Sequence, residues 1–128
     1  MAFWHGEKGL KATGGKIRSQ KKKKKYELGN LPTHTKLGKG KSVKIETKGG
    51  GEKLRALTVE FANVLDRNTK LIKKVKILDV SHNPANPQLV RSKIITKGTI
   101  IKTELGEARV VSRPAQHGVV NAILTGSK

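Results

Sequence analysis

The sequence predicts an all-β protein: a small closed or nearly closed β-barrel with a long basic, intrinsically disordered N-terminal arm. Three observations predict it. Downstream of residue 41, short β-branched runs alternate apolar with polar residues and are bounded by Gly, Pro or Asn, the pattern of short strands joined by tight turns. Upstream, residues 1–41 hold twelve Lys or Arg against Glu7 and Glu27, with glycines at 6, 9, 14, 15, 29, 38 and 40. Within that stretch Lys21, Lys22, Lys23, Lys24 and Lys25 are consecutive, and adjacent like charges need water or a polyanion around them. The boundaries therefore fall at 1–41 for a basic extension and 42–128 for a barrel domain.

In the extension, Leu10, Ile17, Leu28, Leu31 and Leu37 are spaced too widely to form one helical or strand face. Their burial cannot offset the entropy of ordering the chain, hence the expected disorder. Val43, Ile45 and Thr47 alternate with Lys44 and Glu46 until Gly49-Gly50-Gly51 ends the strand. Leu57, Val59 and Phe61 alternate with Thr58 and Glu60, which makes Phe61 a core ring whose truncation should be among the costliest. Asp66-Arg67-Asn68 reads as a turn. Val75 and Ile77 then alternate with Lys74 and Lys76, and residues 78–80 switch faces through a bulge. Prolines 84 and 87 make 83–87 a loop. Further strands are predicted near 89–92, 94–96, 99–101, 108–111 and 119–124. Helix has little support anywhere.

Composition narrows the function. Phe3, Trp4, Tyr26 and Phe61 are the only Phe, Trp or Tyr residues, so the core must be built from Val, Ile, Leu and Ala. Cysteine is lacking, which removes disulfide frameworks, zinc knuckles and thiol chemistry. No apolar run approaches the ~20 residues that cross a bilayer, and the first residues hold no signal-peptide core, so no membrane association and a cytoplasmic location are expected. Gly40-Lys41-Ser42 invites a phosphate-loop reading, but Thr35 stands where that motif needs glycine. Gly14-Gly15-Lys16 fails likewise, with Leu10 at the glycine position. His5, His34, His82 and His117 are scattered, with no i,i+4 pair. The serines lie in no nucleophile-elbow context. The chain therefore reads as a non-enzyme with no cofactor, no metal and no small-molecule substrate.

The positive reading is RNA binding. The net charge is +19, and phosphates reward such density through counterion release. Lysine exceeds arginine heavily, which favours point contacts with phosphate over bidentate base reading. The candidate contacts are Lys8, Lys11, Lys16, Arg18, Lys21, Lys22, Lys23, Lys24, Lys25, Lys36, Lys39 and Lys41 in the extension, with Lys53, Arg55, Arg91 and Lys93 in the strand region. Trp4, His5, Tyr26 and His34 supply rings for splayed bases. Gly14 and Gly15 let the backbone turn tightly between phosphates. A free translation factor or RNA chaperone on a small barrel is the rival binding role. An RNA-modifying enzyme would need a catalytic cluster that the sequence does not display.

Several segments together resemble a known family. They are Trp4-His5, Thr13-Gly14-Gly15-Lys16 and Lys24-Lys25-Tyr26-Glu27-Leu28-Gly29, then Thr33-His34-Thr35-Lys36-Leu37-Gly38. Gly49-Gly50-Gly51-Glu52-Lys53-Leu54-Arg55-Ala56-Leu57 follows, then Ile77-Leu78-Asp79-Val80-Ser81-His82-Asn83-Pro84-Ala85-Asn86. Leu89-Val90-Arg91-Ser92-Lys93 and Gly118-Val119-Val120-Asn121-Ala122 complete the set. In order and spacing they resemble the eukaryotic-type small-subunit ribosomal protein number eight, shared by archaea and eukaryotes. The resemblance implies a structural constituent of the small ribosomal subunit, supporting translation. It implies a basic extension threading small-subunit ribosomal RNA, a barrel docked on the subunit, and neighbouring ribosomal proteins as further partners. Eukaryotic members carry a long insertion in the barrel half, which this chain lacks, so the archaeal form is expected.

Overall fold

The structure, a computed structural model, describes every residue except Met1, Ala2, His5, Lys8, Ser19, Gln20, Lys21, Lys23, Lys48, Ser127 and Lys128. Its elements fall into two units, Met1–Pro32 and Thr33–Lys128.

In the first unit β1 (Phe3–Trp4) pairs antiparallel with β2 (Leu28–Gly29), which directly follows a 3₁₀ turn at Lys25–Glu27. Between them the backbone doubles back: Leu10 bridges Lys16, Ile17 N–H donates to Gly9 O at 3.0 Å, and Lys11 N–H donates to Gly15 O at 2.7 Å. Gly14 closes that loop at φ +83°, a conformation glycine adopts without strain. The expected disorder is therefore not what the described residues of the extension show. Backbone pairing between positions far apart in sequence, which side-chain spacing does not reveal, gives them local structure.

The second unit is built around a barrel. Its strands are β3 (Lys36–Leu37), β4 (Lys41–Glu46), β5 (Glu52–Val59), β6 (Phe61–Leu65), β7 (Ile72–His82), β8 (Ile100–Thr103), β9 (Gly106–Val110) and β10 (Asn121–Leu124). β6, β7, β8, β9 and β10 close in the order β10–β6–β7–β8–β9, every contact antiparallel except the parallel β10–β6 pair. The bulge foreseen at 78–80 is present: β7 shifts register against β8 between Ile77 and Asp79 and again between Val80 and His82. Such irregularities let one long strand bend around a small barrel.

The inward row is aliphatic and graded in size. Val64 faces Ala122, which faces Val110; Ile101 faces Ala108, which faces Leu124. Alternating small with large side chains across neighbouring strands fills a narrow barrel. Ile101 and Ala108 are fully buried, and Ile95 and Val120 join the same cluster.

A separate sheet, β3–β5–β4, stands beside the barrel strands, with β3 parallel to β5 and β4 antiparallel to it. Thr35 locks this sheet to the segment after the loop: its hydroxyl donates to Ala56 O at 2.7 Å while Ile95 N–H donates to its carbonyl at 2.8 Å. Residues 33–41, grouped by charge with the extension, thus pair within the second unit.

Three local expectations change. Phe61 is 44% exposed instead of buried. Glu60 is a one-residue corner between β5 and β6, so the alternation changes phase there and Ala62 and Val64 point inward. The strand expected at 89–92 is a helical turn, α1 (Gln88–Arg91), started by Asn86, whose Oδ1 accepts Gln88 N–H at 2.9 Å. The strand expected at 94–96 reduces to a single bridge between Ile94 and Lys36. A second helical turn, α2 (Pro114–His117), ends at Gly118, φ +77°.

Candidate nucleic-acid interface

In the first unit, the proposed contacts fall into two groups. Lys11 and Lys16 flank one loop with Gly14 and Gly15 at its turn, and both lysines are exposed. Arg18 follows, also exposed, and Lys22, Lys24 and Lys25 present their ammonium groups to solvent. Tyr26 rides on the 3₁₀ turn with 73% of its surface exposed. Trp4 differs. It is half-buried, its indole N–H donates to Glu27 Oε2 at 3.4 Å, and a Cβ at Gly6 would lie 2.0 Å from its ring. Glycine at position 6 is what lets that ring lie flat on the backbone. His5, Lys8, Lys21 and Lys23 lie outside the described residues.

In the second unit, Lys36 and Lys41 flank Thr58 from the two strands on either side of it. Cross-strand partners project to one side of a sheet, so the two lysines sit in one row. Lys39 and His34 are exposed in the adjoining segments. Lys53 and Arg55 pair with Ile45 and Val43 of β4, and the register shift between Lys41 and Ser42 keeps them on the same face as Lys41; Arg55 is half-buried and donates to Thr33 Oγ1 at 3.3 Å. Arg91 is exposed at the end of α1. Lys93 is engaged by Asp79 at 3.2 Å. That lysine and the Val80 backbone N–H hold the Asp79 carboxyl below its ordinary range, the backbone bond contributing most.

The sequence reading left other cations out of the site. Lys74 and Lys76 project from the barrel's outer wall beside Phe61. The Lys-Val-Lys-Ile alternation at 74–77 carried that signal, since Val75 and Ile77 face inward. Arg67, Lys97 and Arg109 border a cleft of about 670 Å³ walled by Val111, Ile123 and Leu124. Its only acid, Asp66, accepts Asn68 N–H at 3.0 Å and the Thr69 hydroxyl at 2.9 Å, bonds that hold its carboxyl below the ordinary range. An anion so occupied is a poor general base. Among the described residues that line the cleft there is no histidine or serine to act with it. Among the described residues no three His, Asp or Glu side chains gather as a metal site, and no described helix is long and apolar enough to cross a membrane.

A closed barrel with lysines along its outer wall defines the chain as a basic β-barrel protein. Comparison narrows the class. The family model for Ribosomal protein S8e matches residues 4–125, and the chain belongs to that family. Its relatives include small ribosomal subunit protein eS8 of Methanocorpusculum labreanum, 49% identical over 95% of this chain and 98% of the relative. The eS8 protein of Hyperthermus butylicus is 49% identical over 97% of this chain and 93% of its own length. That of Picrophilus torridus is 44% identical over 97% and 99%. These sources are archaeal, in line with the form expected from the missing insertion.

Proposed function

We propose that this chain is a structural component of the small ribosomal subunit in the cytoplasm. It binds small-subunit ribosomal RNA through residues 1–41 and the basic faces of the 42–128 region, lies against neighbouring ribosomal proteins, and supports translation. The family match over residues 4–125 carries the reading. The physical support is the exposure of Lys11, Lys16, Lys22, Lys24 and Lys25 and the Lys36–Lys41 row. Lysine offers a mobile point charge, suited to following phosphates without reading bases. Tyr26 is the ring best placed to stack in the extension, whereas Trp4 supports its own loop.

The test is the salt dependence of binding to a small-subunit rRNA fragment. Each neutralised phosphate contributes about 0.9 to the log–log slope on duplex RNA-like targets. Replacing Lys21, Lys22, Lys23, Lys24 and Lys25 with alanine should therefore reduce the slope by up to about 4.5. It should also remove the protein from salt-washed small subunits in a sedimentation profile. A slope unchanged by these replacements would sink the electrostatic account, and retention on subunits would point to a barrel that docks without the lysine run.

A further inference from the structure

Phe61 is the only Phe, Trp or Tyr of the second unit, and the barrel does not bury it. It stands on the outer wall of β6, 44% exposed. Directly across on β7 is Lys76, and Lys74, two residues along the same face, sets its Nζ 5.1 Å from the ring centroid. The ring lines a cleft of about 300 Å³ together with Lys41, Ser42, Thr58, Glu60 and Lys74. Glu60, the one acid of that lining, is ion-paired to Lys76 at 3.4 Å, so its charge is compensated.

An outward aromatic ring framed by ammonium and hydroxyl groups fits a particular chemistry. An apolar protein partner would be met by a larger aliphatic surface; beside the ring this lining offers Ala56 and Val59 as aliphatic side chains, with Lys41, Lys74, Ser42 and Thr58 supplying ammonium and hydroxyl groups. A nucleotide offers a flat base for the ring and a phosphate for the lysines. Base–aromatic stacking tolerates any base, because every base has a π face.

We propose that Phe61 is a stacking platform for one unpaired base of RNA, with Lys41 and Lys74 holding the phosphates beside it. The proposal rests on the RNA-binding reading above and adds a base subsite to it. It assigns the barrel wall a role beyond charge: it captures a splayed nucleotide while the lysines elsewhere follow the backbone.

The probe is a short uridine-rich single-stranded RNA carrying one 2-aminopurine, whose fluorescence falls on stacking, titrated into the full-length protein. The wild type should quench it. Phe61→Ala and Phe61→Leu should each bind about tenfold more weakly, the cost of losing one stacked base, and should lose most of the quenching. Phe61→Leu keeps an apolar side chain at an exposed position, so its melting temperature should match the parent and separate stacking from folding. If Phe61→Leu binds and quenches like the wild type, the stacking site is overturned while the RNA-binding reading stands. If the wild type fails to bind RNA even at low salt, both fall together. A photoreactive phenylalanine analogue in place of Phe61 gives a second readout in assembled small subunits. A crosslink to rRNA supports the platform, and a crosslink to protein alone overturns it.

Discussion

Asn83 is wholly buried, yet polar on both ends of its amide. It exchanges hydrogen bonds with Thr96 Oγ1, donates to Ile94 O, and accepts Ala85 N–H at 3.0 Å. The Ser81-His82-Asn83-Pro84 segment that marks the family in sequence is thus, physically, a hub tying the end of β7 to the segment before β8. A buried amide of this kind is tolerable only when its partners are in place, and no buried side-chain polar atom among the described residues lacks one. Ile101 and Phe61 give the contrasting pair among apolar residues. Ile101 is fully enclosed, so Ile101→Ala should cost about 3 kcal/mol through lost burial and a residual cavity. Phe61→Ala, on an outer wall, should cost about 1 kcal/mol or less. Urea unfolding of the two variants measures the difference, and equal losses would mean that the barrel interior has been assigned to the wrong residues.

At the level of elements, the strands were legible where alternation ran unbroken. Val43-Lys44-Ile45 and Val75-Lys76-Ile77 fall in β4 and β7. Legibility failed at corners. The pattern through Leu57, Val59 and Phe61 looked continuous, but Glu60 breaks it, and a phase change of one residue turns a strand inside out. Asn86-Pro87 hid a helical turn in the Leu89-Val90 run, because the Asn86 side chain, accepting Gln88 N–H, opens α1. The two-residue strands β1 and β2 were beyond pattern reading altogether. The β6–β7 turn carries a test of its own. Asp66 accepts Asn68 N–H and the Thr69 hydroxyl, which lower its pKa in the folded state. A carboxyl lowered by folding stabilises above its unfolded pKa of about 3.9, and that contribution is lost as pH falls through the folded value. Asp66→Asn still accepts from Asn68 but does not titrate. Its stability should consequently fall less steeply with acid than the parent's below about pH 5. Superimposable acid profiles in urea melts would remove Asp66 from the account.

For the molecule as a whole, charge revealed the partner class more readily than it revealed the architecture. Residues 33–41 look like the extension by composition, but Thr35 and β3 are stitched into β5 and the 93–95 segment by hydrogen bonds. Lysine side chains on a paired strand and on a loop are alike in sequence, so charge counting could not separate them. The candidate site was legible as a population of cations and not as a set of surfaces: the register shift between Lys41 and Ser42, which no residue pattern announces, brings Lys36, Lys41, Lys53 and Arg55 to one face of the β3–β5–β4 sheet. A fragment of residues 33–128 should melt cooperatively, as a single small domain does. A fragment of 42–128 has lost Thr35, β3 and their bonds to Ala56 and Ile95, and should melt at lower temperature. Calorimetry of both fragments checks this. Indistinguishable melts would return residues 33–41 to the extension.

The parallel β10–β6 seam has a consequence in time. Asn63 on β6 meets Asn121 on β10, fifty-eight positions later, where the Asn63 amide donates to Asn121 Oδ1 at 3.1 Å. During synthesis β6 to β9 all emerge before the strand that completes the ring. Until then the sheet has two bare edges, one on β6 and one on β9, each able to pair with a second chain. Contacts this distant in sequence also form slowly. The lysines of the extension and of β4 to β7 are already present on the unfinished chain. Their mutual repulsion keeps neighbouring copies apart while those edges wait to close.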